Sequence, residues 1–171
     1  GFTGHRTAVI HMLEHLASWG FVVIAPDHLG MTASEVLNEP DTFYPIAYTN
    51  PTDVSLVIDF AEALPADSPL AGMIDTEQIA STGHSSGGMN ALQVAGGQLD
   101  LVGLAERCDE GLEINDCVLL VPFMAEIAEL YGLDAVPDGL YPPLGDDRVD
   151  AIIPLAPDQL IFGGTGLSNV T

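Results

Sequence analysis

The chain has 171 residues, of which 47% are hydrophobic, and this length suits one globular domain with a single core. Its formal net charge is −22 at pH 7, from 25 acidic residues against three arginines. Such a charge argues against nucleic acid and anionic membrane surfaces as partners. No apolar run approaches the roughly 20 residues of a membrane-spanning helix.

Two explanations of the acidic composition stay open, namely solubility alone and adaptation to high salt, which screens self-repulsion. If the second holds, the melting temperature rises steeply with added KCl. A flat response to salt contradicts it.

The first third of the chain predicts a helix, a strand and a long loop. Apolar residues at helical spacing predict a helix over about 7–18, which Gly20 ends. The apolar, β-branched run 21–26 is typical of a parallel strand buried on both faces. Residues 27–30 would follow the carboxyl end of this strand. Residues 31–50 show no period and predict a loop on the ligand-binding side.

One motif on the first helix suggests metal chemistry. His11, Glu14 and His15 match H-x-x-E-H, a pattern found in zinc proteases. The solvated face of an amphipathic helix has the same appearance, and no third ligand is apparent. We therefore expect neither a metal site nor a cofactor.

The middle of the chain predicts a helix, a strand and a sharp turn. A helix is predicted from Pro51 to about Leu64, followed by a short buried strand over 78–82. The sequence Gly83-His84-Ser85-Ser86-Gly87-Gly88 then contains G-x-S-x-G, with a predicted helix after it. Strand, turn and helix are the setting of a nucleophile elbow, in which Ser85 projects from the turn. The N–H of Ser86, at the helix start, would point to a developing oxyanion.

The last part of the chain holds a long irregular segment and one more strand. Cys108 and Cys117 lie close together within residues 98–148, and we expect a local disulfide rather than two free thiols. Residues 148–157 predict another strand. The alternation of strands and helices predicts an α/β fold with a parallel sheet.

Several of these stretches together resemble the α/β-hydrolase superfamily. They are residues 1–4, 16–24, 83–88 and 149–157. The dienelactone-hydrolase-like branch is the most similar, a group with bacterial cutinases, polyester hydrolases, platelet-activating-factor acetylhydrolases and chlorophyllases. The resemblance implies one α/β-hydrolase domain over 1–171, incomplete at both ends, with an insertion at about 98–148.

The resemblance also implies roles for particular residues. Phe2 would supply the second oxyanion N–H, beside that of Ser86, and its ring would line the acyl pocket. His84 and Leu29 would line the substrate site. Ser85, in place of the cysteine of dienelactone hydrolases proper, points to an esterase.

The histidines depart from the family's pattern. In this fold the triad runs serine, acid, histidine along the chain. All five histidines here lie before Ser85. We therefore expect that the triad acid and base belong to a remainder of the domain missing from this chain. Asp158 is the one acid after the last strand, and a structural role in a loop suits it better.

The resulting hypothesis is a serine hydrolase that cleaves small or polymeric carboxylic esters through an acyl-enzyme on Ser85. A non-catalytic binding module of the same fold is an alternative, and so is an acyltransferase or thioesterase. A disulfide favours an oxidising compartment, so we expect a secreted or periplasmic protein.

Overall fold

The computed structural model describes residues 4–38 and 43–170. The first half contains α1 (Ile10–Ser18), α2 (Ala33–Asn38), α3 (Ile46–Glu62), strand β1 (Ile79–His84) and α4 (Ser86–Val94). The second half contains α5 (Leu101–Asp109), α6 (Asp116–Leu119), α7 (Met124–Leu130) and strand β2 (Val149–Leu155). Short 3₁₀ turns occupy Val121–Phe123 and Leu160–Phe162. None of the helices within these described ranges is long and apolar enough to cross a bilayer.

The sheet of the described chain has two parallel strands. β1 pairs with β2 from Ile79↔Val149 to His84↔Leu155, with one shift of register after Ile79. A parallel pair needs a long crossover, and residues 85–148 supply it with α4 to α7. The predicted parallel α/β arrangement is therefore seen in part, at these two strands.

The predicted strand at 21–26 is wrong for the described structure. Residues 21–28 have no regular secondary structure, and Phe21 is 61% exposed. A run of this composition becomes a buried strand only when a neighbouring strand completes its hydrogen bonds. No described segment lies beside it in a ladder.

Two helix boundaries also differ from the sequence-based expectation. α1 begins at Ile10, after a turn, and ends before Gly20, whose φ of +93° suits glycine. Part of the predicted loop 31–50 is helical, because α2 lies within it and α3 begins at Ile46 rather than Pro51.

Pro51 lies inside α3 and frees one carbonyl of that helix. Proline has no N–H, so the carbonyl of Ala47, four residues earlier, has no helical donor. Gln93 of α4 donates to this oxygen from Nε2 at 2.8 Å, and the Tyr131 hydroxyl donates to it at 3.1 Å. Burial raises the pKa of Tyr131, so the hydroxyl keeps its proton and remains a donor. The Ala47 carbonyl that the proline frees therefore joins α3 to α4 and to Tyr131.

The core lies between α4 and the segment that follows it. Residues 98–148 contribute a large part of it, including four leucines and a tyrosine that are fully buried. These are Leu99, Leu101, Leu104, Leu120 and Tyr141. By contrast, Ile153 and Leu155 of β2 are 54% and 37% exposed. Apolar burial near α4 therefore supplies much of the stability of the described fold.

The cysteines confirm the predicted disulfide. Cys108 near the end of α5 and Cys117 in α6 are bonded, with Cα atoms 5.8 Å apart. Their separation of nine residues closes a small loop between two helices. Such a crosslink stabilises chiefly by restricting the unfolded chain.

Removing this crosslink should weaken the fold measurably. We expect the double variant Cys108→Ser, Cys117→Ser to lose roughly 2–3 kcal/mol of unfolding free energy, as loop closure predicts. Urea unfolding of oxidised wild type and of the variant measures the difference. Reductant should lower wild-type stability to that of the variant and leave the variant unchanged; an equal response of both proteins contradicts the expectation.

All three arginines are paired with carboxylates. Arg6 pairs with Asp27, and Arg107 pairs with Asp100. Arg148, just before β2, binds Asp146 through Nε at 2.9 Å and through Nη2 at 2.7 Å. Its Nη1 reaches Asp59 and Glu62 of α3 at 2.7 and 2.8 Å. Two of the three arginines, Arg6 and Arg148, thus connect segments that are distant in sequence.

The Asp146–Arg148 contact predicts a pH dependence of stability. Hydrogen bonds from Arg148 hold the pKa of Asp146 below its usual 3.8, so the carboxylate stabilises the fold above that value and loses its effect as the pH falls further. Asp146→Asn should cost roughly 1–2 kcal/mol at pH 7. Urea unfolding at pH 7 and pH 3 should show this difference shrinking at pH 3. Asp147→Asn, at an exposed neighbouring position, is the control, and equal losses in the two variants contradict the account.

Candidate functional site

The turn between β1 and α4 holds Ser85 in a backbone conformation that few residues adopt. Its φ is +57° and its ψ is −121°, and it directly precedes α4. Non-glycine residues at positive φ are uncommon and are strained by about 1–3 kcal/mol. Such strain persists only where the surrounding structure determines it, and it is concentrated at functional sites.

Close backbone approach fixes this turn and explains its glycines. A Cβ atom on Gly83 would lie 2.5 Å from the carbonyl carbon of Gly87, where nothing but a hydrogen fits. A Cβ on Gly88 would lie 3.1 Å from the carbonyl oxygens of Gly83 and Leu155. The N–H of Ser85 donates to the Leu155 carbonyl of β2 at 2.9 Å. The turn is therefore held from both strands, and we call residues 83–88 the elbow.

The start of α4 offers backbone donors beside Ser85. The Ser85 carbonyl accepts from Gly88 N–H at 2.8 Å and from Met89 N–H at 3.1 Å, which closes the first helical turn. Ser86 is the first helical residue, and its N–H has no acceptor within the helix. A helix N-terminus with free N–H groups favours a developing negative charge. Phe2, the other predicted oxyanion donor and pocket residue, lies outside the described residues.

No histidine in the described part of the chain is hydrogen-bonded to the Ser85 hydroxyl. His84, next to Ser85, ends β1 and is exposed. His5 is hydrogen-bonded to Thr7, and His15 stands edge-on to the ring of Trp19. Within residues 4–38 and 43–170, none of these rings makes a hydrogen bond to Ser85.

His28 is part of an imidazole–carboxylate pair that sequence patterns alone did not reveal. Its Nδ1 lies 2.7 Å from Oδ2 of Asp53 in α3, and both side chains are partly buried. A carboxylate in this position orients the ring and fixes its tautomer. The two residues are 25 positions apart, so no local motif joins them.

Leu29 lies beside this pair, in an open apolar groove of about 280 Å³. Leu29 itself is 89% exposed. Groove-lining side chains include Pro26, Leu56 and Phe60, but neither Ser85 nor His84 is among them. The predicted substrate-lining role of Leu29 stays a prediction.

The H-x-x-E-H residues lie on the exposed face of α1. His11, Glu14 and His15 all face solvent. Across the described ranges, no group of three or more His, Cys, Asp or Glu side chains could hold a metal ion. The exposed, solvated face of an amphipathic helix therefore accounts for the H-x-x-E-H pattern.

Asp158 has a carboxyl partner rather than a histidine. It follows β2, and its carboxyl group acts electrostatically on that of Asp116 in α6. Burial raises the pKa of Asp116, and the Asp158 carboxyl raises it further. A structural role for Asp158 therefore suits its contacts better than orienting a histidine.

Comparison with known proteins gives two related matches. Cutinase est1 and Cutinase est2 of Thermobifida alba are each 31% identical to this chain over 101 residues. The aligned stretch covers 59% of this chain and 30% and 29% of the two relatives. The chain thus spans less than a third of the length of these curated relatives. No protein-family model and no solved structure matches it.

Proposed function

We propose that this chain carries the nucleophile of a serine hydrolase of the α/β-hydrolase superfamily, acting on carboxylic esters. The observation that carries the proposal is the strained Ser85, held between a parallel strand and a helix N-terminus in a turn where Gly83 leaves no room for a Cβ atom. Similarity to two cutinases over 101 residues supports the ester specificity.

In the proposed mechanism, Ser85 attacks the ester carbonyl and forms an acyl-enzyme. The Ser86 N–H stabilises the tetrahedral oxyanion, and a second donor, for which we propose the Phe2 N–H, completes the hole. Each such donor contributes on the order of 3 kcal/mol in a comparable site. A histidine takes the serine proton and passes it to the leaving alcohol, and water then releases the acid.

The chemistry of the chain restricts the proposed substrate. A net charge of −22 repels anionic esters at low ionic strength, so neutral esters are favoured. An apolar acyl group suits the ring of Phe2. We propose a polyester as the polymeric substrate, because the relatives are named cutinases.

The predicted disulfide is present, which favours an oxidising compartment. We therefore propose that the protein works after secretion or in the periplasm.

Two other activities on the same elbow are separable by experiment. Chromogenic esters of neutral short-chain acids, assayed with and without a primary alcohol, distinguish hydrolysis from acyl transfer by the product formed. Free acid as the main product supports the proposal, and a new ester as the main product favours an acyltransferase. Absence of turnover together with tight binding of an uncleaved ester favours a binding module.

A further inference from the structure

The apolar groove beside Leu29 lies between α3 and the segment that precedes α2, and we call it the α3 groove. One wall is a stripe of α3 at helical spacing, which starts at Asp53 and continues three, four and seven positions later. The apolar members of this stripe are Leu56, Val57 and Phe60. Pro26, Asp27 and Leu29 form the other wall. The volume of about 280 Å³ is near the lower limit of small-molecule pockets, so the groove suits a molecule with one ring.

Three contacts hold the wall opposite α3 in place. Arg6 binds the carboxylate of Asp27 through its main-chain N–H and through Nη1, the second at 3.4 Å. The carbonyl of His28 accepts from the N–H of Met31 at 3.1 Å, and Met31 is buried in the core. Nδ1 of the His28 ring lies 2.7 Å from Oδ2 of Asp53 in α3. The two walls are therefore connected to each other and to the core.

The contact between His28 and Asp53 determines what the second nitrogen of the ring can do. An ionised carboxylate only accepts hydrogen bonds, so Nδ1 of His28 carries the proton of this contact. In the neutral imidazole, Nε2 is then an acceptor with a free lone pair. Nε2 has no hydrogen-bond partner among residues 4–38 and 43–170, and it is not one of the buried atoms without a partner. The structure therefore presents an accessible acceptor next to an apolar groove.

The charges around the α3 groove favour a neutral ligand. Asp27 and Asp53 line the groove, and the chain carries a net charge of −22, so an anion is repelled. A cation would lose part of its hydration against the apolar walls. Asp27 is already paired with Arg6, and Asp53 with His28, so neither carboxylate is left to compensate that loss. A neutral molecule that donates a hydrogen bond matches both the walls and the free acceptor.

We propose that the α3 groove is a binding site for a small apolar alcohol, whose hydroxyl donates to Nε2 of His28 while its ring contacts Leu29 and Phe60. The site is additional to the proposed ester-hydrolysing one, because neither Ser85 nor His84 lines the groove. Benzyl alcohol is the simplest probe, since it is neutral and has one ring and one hydroxyl. Benzyl methyl ether has a similar shape but no O–H, so it should bind more weakly.

NMR titrations of the purified protein at pH 8 measure this difference. Nitrogen–proton correlation spectra of the histidine rings report the tautomer of His28 and follow its Nε2 signal as each ligand is added. We expect the proton on Nδ1, and a Kd for benzyl alcohol on the order of 1 mM, which suits so small a ligand. The ether should bind about 3- to 10-fold more weakly, which corresponds to one hydrogen bond. Benzoate and benzylammonium should also bind more weakly than the alcohol.

Substitutions distinguish the acceptor from the apolar walls. His28→Leu removes the acceptor, so the alcohol and the ether should bind with equal affinity. Asp53→Asn can donate as well as accept, so it no longer fixes the tautomer and should reduce the preference for the alcohol; it is the second variant if the first fails to fold. Phe60→Ala, at an exposed wall position, should weaken both ligands by the same factor. Met73→Ala, at an exposed position outside the groove, should bind both as wild type does.

The proposal is overturned if wild type binds the alcohol and the ether equally, or if His28→Leu keeps the preference for the alcohol. It is also overturned if the ring proton lies on Nε2, since the ring would then donate, or if benzyl alcohol leaves the His28 signals unchanged. None of these readouts depends on ester hydrolysis, so failure of this site and failure of the proposed function are distinguishable.

Discussion

Replacing Ser85 by alanine should reduce kcat/KM for a neutral chromogenic ester by roughly 10⁴- to 10⁶-fold. The reason is that, in the proposed mechanism, the Ser85 hydroxyl forms the acyl bond, and neither Ser86 nor a helix N-terminus can substitute for it. Folding should survive, because alanine retains the Ser85 N–H that donates to Leu155. Initial rates and urea unfolding of wild type and Ser85→Ala give both quantities.

The matched control for this experiment is Ser68→Ala. Ser68 lies in an exposed loop, where its hydroxyl oxygen accepts from the Leu70 N–H at 3.2 Å. The Ser68→Ala variant should hydrolyse the ester as wild type does. Activity in Ser85→Ala close to that of the control would contradict the nucleophile assignment.

Replacing Gly83 by alanine should have the second largest effect, on stability and activity together. The added methyl group would lie 2.5 Å from the Gly87 carbonyl carbon and 2.6 Å from its oxygen, so backbone must move. We expect a loss of about 3 kcal/mol of unfolding free energy. Displacement of Ser85, the proposed nucleophile, should also lower kcat/KM by about 10²-fold, as misplaced catalytic groups do.

Gly139→Ala provides the comparison for this steric account. Nothing lies within 4 Å of a Cβ at Gly139, and its φ is not in the left-handed region. Its stability and activity should remain near those of wild type. If Gly83→Ala unfolds at the same urea concentration as Gly139→Ala, close approach of the backbone does not fix the elbow.

The elbow was predictable because its determinants are local. Gly83, Ser85 and Gly87 fall within five residues, and β1 and α4 flank them at the predicted places. The steric need for glycine and the position of Ser86 at a helix start follow from this spacing alone. The role of Leu155 could not be predicted from local sequence. It lies 70 residues further on, and its carbonyl accepts a hydrogen bond from the Ser85 N–H.

The predicted strand at 21–26 shows where local patterns fail. An apolar, β-branched run is compatible with a strand, but hydrogen bonds to a neighbouring strand decide whether one forms. The described chain provides no such neighbour at Phe21, which stays largely exposed.

The predicted start of α3 was wrong for a related reason. Pro51 normally marks a helix start, and its placement inside α3 depends on Gln93 and Tyr131, which satisfy the freed Ala47 carbonyl. These partners are 46 and 84 residues away from Ala47. The pair His28–Asp53 was unpredictable for the same reason, since a tertiary contact brings the two side chains together.

The measurement that tests the central claim most directly is reaction of a fluorophosphonate with the purified protein, including the remainder of the domain expected to supply the triad acid and histidine, followed by intact mass and mapping of the modified peptide. The account predicts one adduct per chain, on Ser85, and none in Ser85→Ala. Adduct formation elsewhere, or equal labelling of the two proteins, would contradict an activated serine at the elbow. A folded wild-type protein that has this remainder and stays unmodified would contradict it as well, and would favour the binding module.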